Sequence, residues 1–123
     1  MRLVLDLPKA TGNARMHWRT RYYTRTRFWE AQDNRQRLGL IEPPPNRPMG
    51  SVTVLAHFLV SKPNDPDNLT ARLKDVMDWL KTRGYIVDDG PSVVKALTVT
   101  QETVPRKDCG LVLDVVALGD AGL

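Results

Sequence analysis

The sequence predicts a small α+β domain of about four strands and two helices, and three observations carry that expectation. At 123 residues the chain suits one core, so residues 1–123 are expected to form a single domain. Apolar segments of strand length recur near the start, in the middle and twice near the end. Between the second and third of them stands one clear apolar stripe of helical period.

In chain order, residues 2–7 (Arg-Leu-Val-Leu-Asp-Leu) read as a first strand and residues 8–20 as a loop. Residues 25–38 suit a polar helix with Phe28, Trp29 and Gln32 available for one face. The proline-rich stretch 42–48 lacks the donors that a helix or central strand requires, so it is a linker inside the domain. Residues 51–60 form a strongly apolar strand, expected to be covered on both faces and to aim the chain into a loop rich in carboxylates. In a helix over residues 68–83, Leu69, Leu73, Val76, Met77 and Leu80 make one stripe, and Gly84 ends it. Residues 92–101 and 110–118 are two more strands, joined closely enough for an antiparallel hairpin. His57, inside an apolar strand, reads as a hydrogen-bonded core residue.

Composition narrows the classes. Apolar residues at 41% and charged residues at 26% match a soluble globular protein, and no apolar run approaches the roughly 18 residues of a membrane span. Met1-Arg2 leads straight into strand-like sequence rather than a signal-peptide core, which points to the cytoplasm. Cys109 is the single cysteine, leaving no internal disulfide and no cysteine-rich zinc site.

The chemistry is concentrated on two segments flanking the strong helix, Asn64-Asp65-Pro66-Asp67-Asn68-Leu69 and Ile86-Val87-Asp88-Asp89-Gly90. Pro66 restrains Asp65 to extended backbone, and Asp67 is placed to cap the helix. Each segment alone is also an ordinary cap or an ordinary turn. Four carboxylates brought together would repel strongly, and hard oxygen ligands of this kind are neutralised by Mg²⁺, or by Mn²⁺ in its place. At 100° per residue Asp75 and Asp78 fall on the same flank as Asp67, so Asp75 can support such a site, while Asp78 reads equally as a solvated carboxylate.

These residues resemble the RusA-type crossover junction endodeoxyribonucleases, whose pattern is Asp-x-Asp-Asn-Leu-x-Lys opening a helix, an Asp within it, then Gly, a few apolar residues and Asp-Asp. The matching positions are Asp65, Asp67, Asn68, Leu69, Asp75, Gly84 and Asp88-Asp89. Leu7-Pro8, Asn13, Arg21 and Tyr22 are similar to the family's opening. The resemblance implies a RusA-like fold and Mg²⁺-dependent, paired incision of Holliday junctions in a bacterial or phage-infected cell. It implies Asp65, Asp67 and Asp89 as catalytic metal ligands, Asp88 beside them, and Asn68 and Asp75 in support. A four-way junction is two-fold symmetric, so a homodimer with two sites is implied as well. The chain departs from the pattern at Ala71, where the family carries lysine, and at Asn64, where relatives are often basic. Arg72, Lys74, Lys62 or Lys95 could supply the missing cation. The alternative is a junction-binding protein with attenuated cleavage.

Charge is lopsided in the same sense. Residues 1–40 hold nine basic and three acidic side chains, for +6, and residues 41–123 hold nine and eleven, for −2. Five arginines alternate with His17, Trp18, Tyr22 and Tyr23 between Arg15 and Phe28, a mixture that forks phosphates and stacks on unpaired bases. Arg15, Arg19, Arg21, Lys62, Arg72 and Lys74 are therefore the expected DNA contacts.

Overall fold

A computed structural model describes residues 1–9 and 18–118, with the backbone alone at Trp18. Asn13, Arg15 and His17 lie outside the described residues. Four strands make one sheet in the order β1-β4-β2-β3. These are β1 (Arg2–Leu5), β2 (Val52–Val60), β3 (Val94–Thr103) and β4 (Gly110–Ala117), with α1 (Trp18–Arg37) between the first two and α2 (Pro66–Thr82) between β2 and β3.

Period-two alternation sorts the sheet into two faces. Leu3 and Leu5, then Val52, Val54, Ala56, Phe58 and Val60, then Leu111, Leu113 and Val115 are all buried. The other face is not covered: Val4, Leu55, Leu97 and Val116 stand 40–52% exposed. Strand β2 is thus buried on one face and not on both. Its apolar content reflects its position between β4 and β3 rather than a second layer. His57 belongs to the open face, where its Nδ1 lies 2.6 Å from Thr100 Oγ1 and its Nε2 3.1 Å from Glu102 Oε1; it is hydrogen-bonded, as expected, but not a core residue.

Helix α2 supplies the covering layer. Leu69, Leu73, Val76, Met77 and Leu80 are buried as the stripe requires, joined by Trp79 on the flank toward α1. Each fully buried side chain of this size is worth about 1.5–3 kcal/mol, against at most about 1 kcal/mol for an exposed ion pair, so the apolar stripe holds α2 in place. Helix α1 is longer than its sequence pattern indicates, because it is fastened by polar groups. Buried Gln32 accepts from Asp6 N–H at 3.1 Å and donates to Asp6 Oδ2 at 3.0 Å, while Phe28 enters the core beside it.

The expected β3–β4 hairpin does not form. Strand β3 pairs parallel with β2 through α2, and β4 pairs antiparallel with the other edge of β2 and with β1. A β-α-β crossover sets β3 on one side of β2, and the short 3-10 turn Arg106–Asp108 then carries the chain across the strand end to the remaining edge.

Candidate active site

Helix α2 begins two residues earlier than the pattern suggests. Asp65, not Asp67, holds the N-cap position, extended at φ −67° and ψ 146°, and its carbonyl accepts from Asn68 and Leu69 N–H at 3.0 and 3.2 Å. Pro66 takes the first helical position, where its missing donor costs nothing. The Asp65 side chain makes no capping bond. It points outward like those of Asp67 and Asn68, and all three residues are exposed.

The other end of α2 is closed by a Schellman motif. Gly84 sits at φ +87°, a conformation that side chains disfavour, and Tyr85 N–H reaches back to Leu80 O at 2.9 Å while Gly84 N–H reaches Lys81 O at 3.3 Å. Tyr85 packs on Trp79 with ring centroids 5.3 Å apart. Burial pushes the Tyr85 hydroxyl up to about 12. Met49 and Val87 then clamp the returning chain through Met49 N–H to Tyr85 O at 2.9 Å and Val87 N–H to Met49 O at 3.0 Å.

That return brings Asp89 near Asp78. Burial first, and then the neighbouring Asp89 carboxyl, push Asp78 above the usual carboxylate range, and Lys74 pulls the other way. Asp75 lies one turn earlier, 4% exposed. Its Oδ2 accepts from Arg21 Nη1 at 2.7 Å, and its Oδ1 is buried with no hydrogen-bond partner among the described residues. Asp88 turns away: Oδ1 is 3.1 Å from Lys81 Nζ, Oδ2 accepts from Gly90 N–H at 3.3 Å, and the Lys81 ammonium holds the carboxyl below its ordinary value.

The sequence therefore located the carboxylates but not their grouping. Asp67 and Asp78 are separated by about 16 Å at 1.5 Å of helix rise per residue, and Asp89 is with Asp78. Asp65 and Asp67 stand at the start of α2, Asp75 and Asp78 lie further along it with Asp89 near Asp78, and Asp88 pairs with Lys81 instead. Among the described residues no three His, Cys, Asp or Glu side chains come together as metal ligands. The set Asp65, Asp67, Asp88 and Asp89 is not a single metal site within one chain. Asp78 and Asp89 match the habit of Mg²⁺, which takes one or two carboxylates and completes its shell with water and substrate phosphate. Asp78 is the residue that sequence reasoning undervalued; its three-residue spacing from Asp75 was the available signal.

Of the expected cations, Arg21 is committed to Asp75. Arg19, Lys62 and Lys74 are exposed, and Arg72 is half-buried. Arg25 and Arg83 lie over Trp29, 5.2 and 5.5 Å from the ring centroid. No protein-family model matches this chain, and a search of curated proteins finds none similar to it. Among the described residues no helix is long and apolar enough to cross a membrane.

Proposed function

We propose that the chain is a RusA-type endonuclease that cuts four-way or other branched DNA, working as a two-fold homodimer with Mg²⁺. The observation that carries this reading is the approach of Asp89 to Asp78 one turn from buried Asp75, whose Oδ1 has no hydrogen-bond partner among the described residues. Neighbouring carboxylates repel one another, and a bound cation relieves that repulsion. When bound there, Mg²⁺ supplies an activated water and charge stabilisation at the leaving oxygen. The chain's own part is to hold Asp78 and Asp89 by the Schellman turn, to anchor Asp75 through Arg21, and to present the basic face of α1 to phosphates.

Asp65 and Asp67 enter through the dimer. One chain cannot bring them to Asp89, but a two-fold axis that lays two α2 helices antiparallel sets the start of one beside the end of the other. Two composite sites, one per cut strand, result from that arrangement.

A second reading is favoured by the lack of a three-carboxylate group among the described residues of one chain and by Ala71: a protein that binds branched DNA without cutting it. The deciding experiment incubates the purified protein with labelled four-way junction in Mg²⁺ and in EDTA. Paired nicks that need Mg²⁺ support the nuclease; retention of the junction without nicks supports binding alone; neither result removes both.

A further inference from the structure

A cavity of about 300 Å³ opens at the start of α2, on the side of the sheet end, walled by Leu7, Val60, Ser61, Lys62, Asn64 and Arg72. Among the described residues, two cations and no carboxylate line it. Arg72 is the unusual member. Its Nε is buried with no hydrogen-bond acceptor, and the guanidinium forms no ion pair or hydrogen bond with any described residue. Burial alone acts on it, lowering its hold on the proton, and no acidic neighbour among the described residues compensates. An arginine stays charged in such surroundings, and its buried Nε–H lacks an acceptor, so the site is suited to an anion from outside.

The opposite wall is rigid. Asn64 N–H donates to Gln101 Oε1 at 2.9 Å, Gln101 Nε2 donates to Asn64 O at 2.8 Å, and Asn64 Nδ2 donates to Lys62 O at 2.9 Å. The turn carrying Ser61 and Lys62 is thereby tied to β3, and Asp65 comes directly after it. A guanidinium, an ammonium and a hydroxyl lining one small cavity are the donor types that recognise a tetrahedral oxyanion.

We infer that this cavity is a phosphate-binding site in which Arg72, Lys62 and Ser61 hold one phosphate group at the start of α2, beside Asp65. Its assignment to a phosphodiester of nucleic acid rests on the function proposed above. The phosphate chemistry does not.

The test tracks the arginine Nε–H resonances of the full chain by NMR during separate titrations with inorganic phosphate and with a four-way junction. A saturable shift of the Arg72 signal with both is expected. Arg72→Gln and Lys62→Ala should each weaken junction binding several-fold and reduce the slope of log affinity against log salt by about 0.9. Lys62 is on an exposed turn, so its variant reads the site even where Arg72→Gln unfolds the chain. A shift with inorganic phosphate alone, with salt slopes unchanged, overturns the nucleic-acid assignment in favour of a small phosphate-bearing molecule. No shift with either probe overturns the site. A chain that neither binds nor cuts junctions, yet whose Arg72 answers inorganic phosphate, overturns the nuclease and leaves the phosphate site standing.

Discussion

At Asp33 the two helices meet around a carboxylate whose oxygens are both used: Oδ1 accepts from Trp79 Nε1 at 2.9 Å and Arg83 Nε at 2.8 Å, and Oδ2 from Arg83 Nη2 at 2.8 Å. Further back along α2, Asp78 has Asp89 as a neighbour, with Lys74 and Lys81 near enough to act on the carboxyls, and Asp75 keeps one oxygen without a donor among the described residues. The first cluster is matched donor for acceptor, and the bidentate Arg83 fork holds Asp33 below the ordinary carboxylate value despite partial burial. The second is matched less completely, since Asp75 Oδ1 has no donor among the described residues. The satisfied carboxylate fixes α1 against α2, while Asp75 spends only one of its oxygens on α1, through Arg21.

The largest effect expected from this contrast is on cleavage. Asp67→Asn and Asp89→Asn should each abolish Mg²⁺-dependent cutting when alone. Mixed and re-annealed as heterodimers, they should regain cutting toward about a quarter of the wild-type sites, since half the dimers would carry one composite site with all its carboxylates. A mixture that stays inactive, with both variants folded, breaks the two-chain site.

Stability separates the clusters next. Asp33→Asn should lower stability at pH 7 by about 1–2 kcal/mol, a charge-assisted value discounted because Arg83 is 34% exposed at the side chain. The pH dependence has a definite sign. A carboxyl held below its ordinary value stabilises the fold above that value, and the contribution is lost as pH falls through the lowered one. Wild-type and variant stabilities, measured by chemical denaturation, should converge below roughly pH 4. Parallel curves would assign Asp33 to shape rather than charge.

Asp78→Asn should act in the other direction. Relieving the contact with Asp89 should raise metal-free stability by up to about 1 kcal/mol, the size of an exposed charge pair with its sign reversed, while abolishing cleavage. A drop in stability instead would make the pair a structural one.

The smallest effect distinguishes the arginines of α1. Arg27 is exposed, and Arg27→Ala should reduce the salt slope of junction binding by about 0.9 for each phosphate that the side chain neutralises. Arg21→Ala should leave the slope nearly unchanged and cost stability, because Arg21 already serves Asp75. Equal slopes for the two variants would erase the distinction.

Local sequence determined the elements. The stripe of Leu69, Leu73, Val76, Met77 and Leu80 decides α2 because helical period and burial coincide there, and Gly84 decides its end because the Schellman turn needs positive φ. Apolar runs of strand length likewise mark β2 and β4, while the alternation of their burial belongs to the sheet. The carboxylates were visible as residues, since Asp-Pro-Asp and Asp-Asp-Gly are local patterns. Which of them meet was decided only by the tertiary structure. A helix of this length separates Asp67 from Asp89, a distance that spacing along the chain conceals, and the return after Gly84 selects Asp78 as the partner. Strand order was settled the same way, because β4 competes for the free edge of β2 rather than for its neighbour in sequence. The pairing of Arg21 with Asp75, and the absence of any described partner for Arg72, depend on what the packed helices bring within hydrogen-bond reach, and no pattern in the chain encodes that.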